Sequence, residues 1–559
     1  MRANDQSWWT RRRVGLGALC AVAVAGVAFI YRFNSLDGSL GGFTNDQFAH
    51  LMRAEMLLRG EQPLRDFADA ELRGAWPALS YALPAWSQQL FGRTLLAEAY
   101  LTIGALALAH ALVFLLALDV AKRWSVALLA TALVVAMEPR LYSYPKVLML
   151  ALGAVMIRSV TLNPSALRLG LAAVTTAAAT LFRHDCGVYV AIGFIAGLIA
   201  RDAPAWSVVG RRIGLYVGLT ALCLLPSAVW VQVYEGIPSY VSNSLATAAL
   251  EAGRTELQLP PLASLAPLSG ESLVVLTYYA FWAVMALAAA VLASRAFASA
   301  ASPLAPEDRG FALGLLAMAV VSNEFLLREG LINGRFGDAV IPVAVLAAWS
   351  TGAAQAITLP AARRLAILLP LVLLLFMFGA SWVLGRVERS LDDSGLTSSP
   401  QSVARQFASI REGLLRLPPV NWSDVDAKGT LLAARYVAEC TSPDDYLLVA
   451  AELPEIPVFA RRRFAAGQGT VALGFYHSQA DQRRALARLA SQSVPIILAN
   501  ARLFASDFVH TYPLLARHVA DHYREAGTIE AGGMRLLVFV EANRQPRRMD
   551  PHLGLPCFQ

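Results

Sequence analysis

The sequence predicts an α-helical polytopic membrane protein, with about eleven transmembrane helices, followed by a soluble α/β domain at its C-terminal end. Apolar runs long enough to cross a bilayer recur between residues 14 and 385. Only 16% of the 559 residues are charged while 56% are hydrophobic, and the mean hydropathy is +0.50, too apolar for an ordinary soluble domain. After residue 386 the pattern changes to short apolar stretches separated by polar helical ones.

The first apolar run, 14 to 30, follows Arg11, Arg12 and Arg13. A cleaved signal would be followed by a soluble domain, whereas further spans follow here, so the run reads as a retained helix with a cytoplasmic N-terminus. Further runs fall near 94–118, 124–138, 146–160, 168–182, 187–200, 213–232, 271–296, 310–326, 338–356 and 365–385. Several lie close to the minimum of about 17 residues for a crossing helix.

Sidedness follows from charge. With the N-terminus inside, the inner connections carry Lys122, Arg123, Arg158, Arg168, Arg201, Arg211, Arg212, Arg309, Arg363 and Arg364. The outer ones carry the smaller set Arg140, Lys146, Arg183, Arg254, Arg328 and Arg335, in line with the positive-inside bias. An odd number of spans puts the tail outside, so the expected location is a bacterial cytoplasmic (inner) membrane with a periplasmic C-terminal domain.

The expected organisation is a transmembrane domain over 1–385 with a first outer loop at 32–93, a linker at 386–402 containing SLDDSGLTSSPQS, and an outer-face α/β domain over 403–559. Strand candidates in that domain are YLLVAAEL (446–453), VPIILAN (494–500) and MRLLVFV (534–540). Of the five cysteines, Cys20, Cys186 and Cys223 lie in or beside spans. Cys440 and Cys557 fall in the tail, where an oxidising compartment permits a disulfide between them, with separate buried thiols as the alternative. No cysteine or histidine spacing marks a structural metal. The net charge of +7 is spread over loops and tail, which fits membrane orientation rather than nucleic-acid binding.

The unusual polar groups collect on the side assigned as outer. They are GFTNDQFAHLMRAEMLLRGEQPLRDF (42–67), EPRLYSYPK (138–146), FRHDCGVY (182–189) and LLREGLINGRFGD (326–338). Charge at membrane depth is costly unless paired or hydrated, so these segments are either self-satisfied polar turns or the lining of a wet cavity. Phe48, Leu51, Met52 and Met56 recur at helical spacing, so the first segment can lie on the outer membrane face with Asp46 at its start. An ordinary helix N-cap is the other reading of Asp46.

Gly60, Pro63, Arg65-Asp66-Phe67 and the stretch holding Trp76, Pro77, Tyr81, Pro84 and Trp86 resemble the first loop of GT-C superfold glycosyltransferases of the bacterial mannosyl- and arabinosyltransferase type. The layout is similar over about residues 14–385, with weaker motif similarity at Tyr144-Pro145-Lys146 and Arg183-His184-Asp185. The resemblance implies transfer of a hexosyl or pentosyl group from a polyprenyl-phosphate carrier to an envelope acceptor, whether glycan, lipid or protein, at the outer face. It implies Asp46 as the base. Many relatives have two adjacent acids where this chain has Asn45-Asp46, which leaves a divalent cation there open.

The residue types suit that chemistry. A carboxylate can take the proton of a sugar hydroxyl as it attacks, and a departing lipid phosphate needs neutralising charge. Arg140, Lys146, Arg183 and Arg335 are the expected phosphate contacts, the alternative for each being a pair with a nearby acid. Asp66, Tyr144, His184 and Asp185 are acceptor-binding or supporting candidates, with Asp69, Glu71 and Arg73 ranked beside Asp66. Competing readings are a transporter or flippase of envelope precursors, which calls for charges near the midplane, and a non-catalytic membrane scaffold. The spans read as nearly free of ionisable residues, which favours a site at the surface.

Overall fold

A computed structural model describes residues 11–36, 42–68, 77–254, 259–261, 269–296, 304–327, 333–357, 359–472 and 474–559. Asp69, Glu71, Arg73, Trp76, Arg328 and Glu329 lie outside the described residues. The chain divides into two compact units, Met1–Leu36 with Thr102–Val229 and Ala248–Ala408, and Asp37–Leu101 with Trp230–Thr247 and Ser409–Gln559.

The first unit is a helical bundle. Among the described residues of the whole chain, eight helices are long and apolar enough to cross a membrane, from Gly15–Asn34 to Pro360–Leu384. The chain is a multi-pass membrane protein. Trp124–Ala136 and Ala166–Phe182 are shorter apolar helices. The remaining expected run begins at Pro306 with Glu307 and Asp308 in its first turn and stops at Ser322, a helix of 17 residues.

That helix packs on His184–Asp202 through glycines. A methyl on Gly314 would lie 2.6 Å from the Gly193 carbonyl oxygen, and one on Gly310 would lie 2.8 Å from the Gly197 oxygen. The matched GFIAG and GFALG segments thus bring two backbones together, as small residues do between helices in lipid, where packing replaces the hydrophobic effect.

Ion pairs mark the opposite end of these helices from the polar connectors. Arg158 bridges Asp119 at 2.8 Å and Asp308 at 2.7 Å. Asp202 holds Arg201 and Arg212. Within the long Leu95–Ala121 span, buried Glu98 and His110 depart from the expectation of nearly ion-free spans. The 386–402 stretch is mostly helical, with Val387–Ser394 and the start of Pro400–Leu415, and Asn34 donates to the Ser394 and Val403 carbonyls at 3.0 Å each.

The second unit joins the first polar loop to the tail. Strands β1 (Tyr446–Ala450), β2 (Arg463–Phe464), β3 (Ile496–Asn500), β4 (Tyr523–Ala531) and β5 (Met534–Glu541) form one sheet in the order β2-β1-β3-β5-β4. β2, β1 and β3 are parallel, with Leu448 opposite Ile497, and β5 and β4 run antiparallel. Both faces of β1 and β3 are buried, which accounts for their unbroken apolar runs. Helices such as Gln479–Leu489 and Pro513–His522 cover the sheet, and Ala485, Leu489, Leu515 and Val519 meet Leu448, Ile497 and Phe539 in its core. A disulfide joins Cys440 to Cys557 and holds the end of the chain to helix Thr430–Cys440.

Candidate functional site

Asp46 lies in the first turn of helix Asn45–Leu58, half-buried, and Thr44 is the N-cap residue. The capping reading of Asp46 is therefore corrected, because the residue sits inside the helix. Asn45 donates to the Glu452 carbonyl at 3.2 Å, which ties this turn to the tail within the second unit.

The expectation that this helix lies bare on a membrane face is also corrected. Phe48, Leu51, Met52 and Met56 are all buried. Met52 and Met56 pack with Phe67, Tyr81 and Phe464, so the apolar stripe is covered by the loop's own core and by β2. Polar Gln47, His50 and Arg53 are buried as well, and Gln47 donates to Glu98.

Asp66 closes a turn. It accepts the Gln62 N–H at 2.8 Å and the Arg65 guanidinium at 2.6 Å. Burial acts to raise its pKa, but the bonds from Arg65 and Gln62 and the charges of Arg65 and Arg488 hold it below the usual carboxylate range. The same loop is pinned by Ala68 donating to Gly467 and by Arg488 donating to Arg65 at 3.0 Å.

In the first unit the polar connectors converge. Lys146, buried at the start of helix Tyr144–Leu162, donates to Asp338 Oδ2 at 2.7 Å, and both side chains are withdrawn from solvent. Arg140 approaches the same oxygen at 3.9 Å and Arg335 at 4.0 Å. Arg183 and Arg335 act electrostatically on Lys146. Three of the four cations expected to meet phosphate, Lys146, Arg140 and Arg335, are thus gathered around one carboxylate, and the fourth, Arg183, is paired with Asp185.

Arg183 is also a partner to its neighbour, through a two-pronged bond to Asp185 at 3.0 and 2.6 Å, and Asp185 Oδ1 accepts the Cys186 N–H. Arg183-His184-Asp185 is in part a self-satisfied polar turn, and Asp185 serves as the counterion of Arg183. His184 opens the helix His184–Asp202 half-buried. Tyr144 is buried edge-on to Phe182 at 6.2 Å. Four basic groups against two carboxylates leave an excess of positive charge here.

Two local features build the cluster. A methyl on Gly337 would fall 2.7 Å from Pro139 Cα, so only glycine lets the 138–140 connector lie against the segment that carries Asp338. Arg140 stacks over Tyr142 at 4.7 Å, which fixes its stem. Beside it, Glu138 accepts from Tyr31 and Arg32 and lines an open recess with Met137, Thr277, Phe336 and Ser381.

Asp338 ends the polar segment 326–338 that the sequence marks, and its place as counterion to Lys146, Arg140 and Arg335 is what spacing does not show. Its signal is an acid on the first turns of an otherwise apolar span, three residues after Arg335. Asp550 lies beside the disulfide-bonded Cys440 and Cys557 in the tail.

No protein-family model matches the chain, and no curated protein matches it. Its fold is similar to solved structures. ArnT from Cupriavidus metallidurans bound to undecaprenyl phosphate aligns with a TM-score of 0.51 at 14% identity, over 94% of this chain and 98% of that one. The apo state of the same protein aligns at 0.49 and 14%, over 93% and 97%. The Archaeoglobus fulgidus oligosaccharyltransferase, in complex with Zn and sulfate, aligns at 0.43 and 12%, over 91% and 71%. The likeness to ArnT is one of fold, and the chain has the GT-C fold.

Proposed function

We propose that the protein is a glycosyltransferase that moves a sugar from a polyprenyl-phosphate carrier to an envelope acceptor at the outer face of a bacterial cytoplasmic membrane. The observation that carries the reading is the gathering of Arg140, Lys146 and Arg335 around Asp338, with Arg183 paired to Asp185 in the neighbouring connector of the same unit. The undecaprenyl phosphate held by the GT-C structure of similar fold supports a lipid phosphate as the ligand.

In this reaction an acceptor hydroxyl attacks the anomeric carbon as its bond to the phosphate oxygen breaks, and the configuration inverts. The phosphate departs with the electron pair. Guanidinium groups match its oxygens by paired hydrogen bonds, so Arg140 and Arg335 bind it while Lys146 and Asp338 hold the arrangement. Asp46 accepts the hydroxyl proton, a role that contributes about 10²–10⁴-fold in rate. Asp66 keeps the loop folded.

The test is direct. Purified protein in lipid nanodiscs is given radiolabelled polyprenyl-phosphate sugars and a membrane extract as acceptor. Label moving into an envelope fraction, with free polyprenyl phosphate released in equal amount, supports transfer. Movement of intact donor across the bilayer without release of the carrier would identify a flippase instead.

A further inference from the structure

A second cationic site lies wholly in the second unit. Leu51 and Glu55 of helix Asn45–Leu58 and its C-cap Arg59, Arg93 and Thr94 after helix Leu79–Phe91, and Arg461 of the tail line an open cleft. Glu55 is the acid of the lining, and it holds Arg59 at 2.8 Å and Arg93 at 3.0 Å. Three arginines facing one glutamate leave excess positive charge in a recess.

The arginines differ in how far their donors are engaged. Arg59 is committed to Glu55 and to the carbonyls of Pro443 and Arg461, with exposed Asp444 at 4.0 Å. Arg461 donates to the Pro418 carbonyl at 2.9 Å, but its Nε is buried without a hydrogen-bond partner. Thr94 Oγ1, on the same lining, is likewise buried and unpartnered. Buried donors are normally satisfied, so two orphaned polar groups in one positively charged recess point to a ligand that completes them. Burial, with Arg93 and Arg59 beside it, drags the Arg461 pKa below its usual range against the pull of Glu55, and an added anion would relieve that strain.

We infer that this cleft binds a phosphate monoester, gripped by Arg93 and Arg461 and oriented by Thr94. Guanidinium forks and a hydroxyl suit a tetrahedral oxyanion, and Glu55 presets the Arg59 and Arg93 planes while lowering the net charge. The site takes a phosphate carried by the acceptor, a sugar phosphate or a lipid headgroup, and only that identification of the carrier rests on the transferase reading. The phosphate of the donor meets the separate cluster on the first unit.

The experiment measures binding rather than transfer, so its failure is distinct from failure of the transferase reading. Full-length protein in maltoside micelles is titrated by calorimetry with glucosamine 1-phosphate and with dihexanoyl phosphatidic acid. The expected result is a saturable component that Arg93→Gln/Arg461→Gln weakens at least tenfold and that Glu55→Gln, which leaves the arginines unopposed, tightens several-fold. Tighter binding of the sugar phosphate assigns the site to a glycan-borne group, and tighter binding of phosphatidic acid assigns it to a lipid headgroup. Equal isotherms for wild type and both variants, or no saturable component in the wild type, would overturn the proposal. The exposed Arg93→Gln alone, which disturbs the fold least, is expected to give an intermediate loss.

Discussion

Lys146 Nζ and Asp338 Oδ2 meet at 2.7 Å with both side chains buried, and Arg140 and Arg335 converge on the same carboxylate oxygen. Removing one partner of such a pair leaves an uncompensated charge, which costs about 3–5 kcal/mol. Lys146→Met and Asp338→Leu are each expected to lower the unfolding midpoint in detergent sharply. The double variant recovers much of the loss, because an apolar pair replaces the ionic one. A thermal scan of the three proteins checks this.

The glycine seam is equally specific. Gly314→Val would push a side chain against the Gly193 carbonyl, where even a methyl carbon comes to 2.6 Å. Overpacking of this kind costs roughly 1–3 kcal/mol. Gly218→Val, at a position with nothing within 4 Å of an added methyl, is expected to be tolerated. Yield and thermal midpoint of the two variants, measured side by side, distinguish the cases.

The tail carries a cross-link of 117 residues' separation between Cys440 and Cys557. Cys440→Ser/Cys557→Ser removes a constraint on the unfolded chain that contributes about 2–5 kcal/mol. Limited proteolysis is expected to cut the C-terminal segment of the variant faster, and reduction of the wild type should reproduce the effect.

Glu455 gives the tail a pH dependence. Burial, with the charge of Glu452 adding to it, pushes its carboxyl up from 4.5 to about 7, against hydrogen bonds from its own backbone and Thr430. The folded state holds the proton more tightly than the unfolded chain, so this contribution is fully present below pH 4.5 and is lost as pH rises to about 7. The full shift corresponds to at most about 3 kcal/mol. Glu455→Gln is expected to flatten the fall in stability over that window, as read by denaturant midpoints at a series of pH values.

The membrane helices were legible because a continuous apolar run of bilayer length has few other solutions, and each expected run from 14–30 to 365–385 falls on a helix. The run that opens at Gly310 ends sooner than expected, since Asn323 interrupts it before Glu324–Leu327. Periodicity also found helix Asn45–Leu58, but it could not say what covers the apolar face; β2, more than 400 positions away, supplies Phe464. Residue type marked Arg140, Lys146, Arg183 and Arg335 as cations in an expensive setting. Asp338 as the shared partner of Arg140, Lys146 and Arg335, and the meeting of Glu55 with Arg93, depend on chain crossings that spacing does not encode, whereas Arg183 pairs with Asp185 two residues away.

Single-turnover transfer by Asp46→Asn, with donor binding measured on the same preparation, tests whether Asp46 is the base. With the thermal midpoint unchanged, the rate is expected to fall by about 10²–10⁴-fold while affinity for the polyprenyl-phosphate donor stays within about twofold. An unaltered rate in a folded, donor-binding variant would contradict Asp46 as the base.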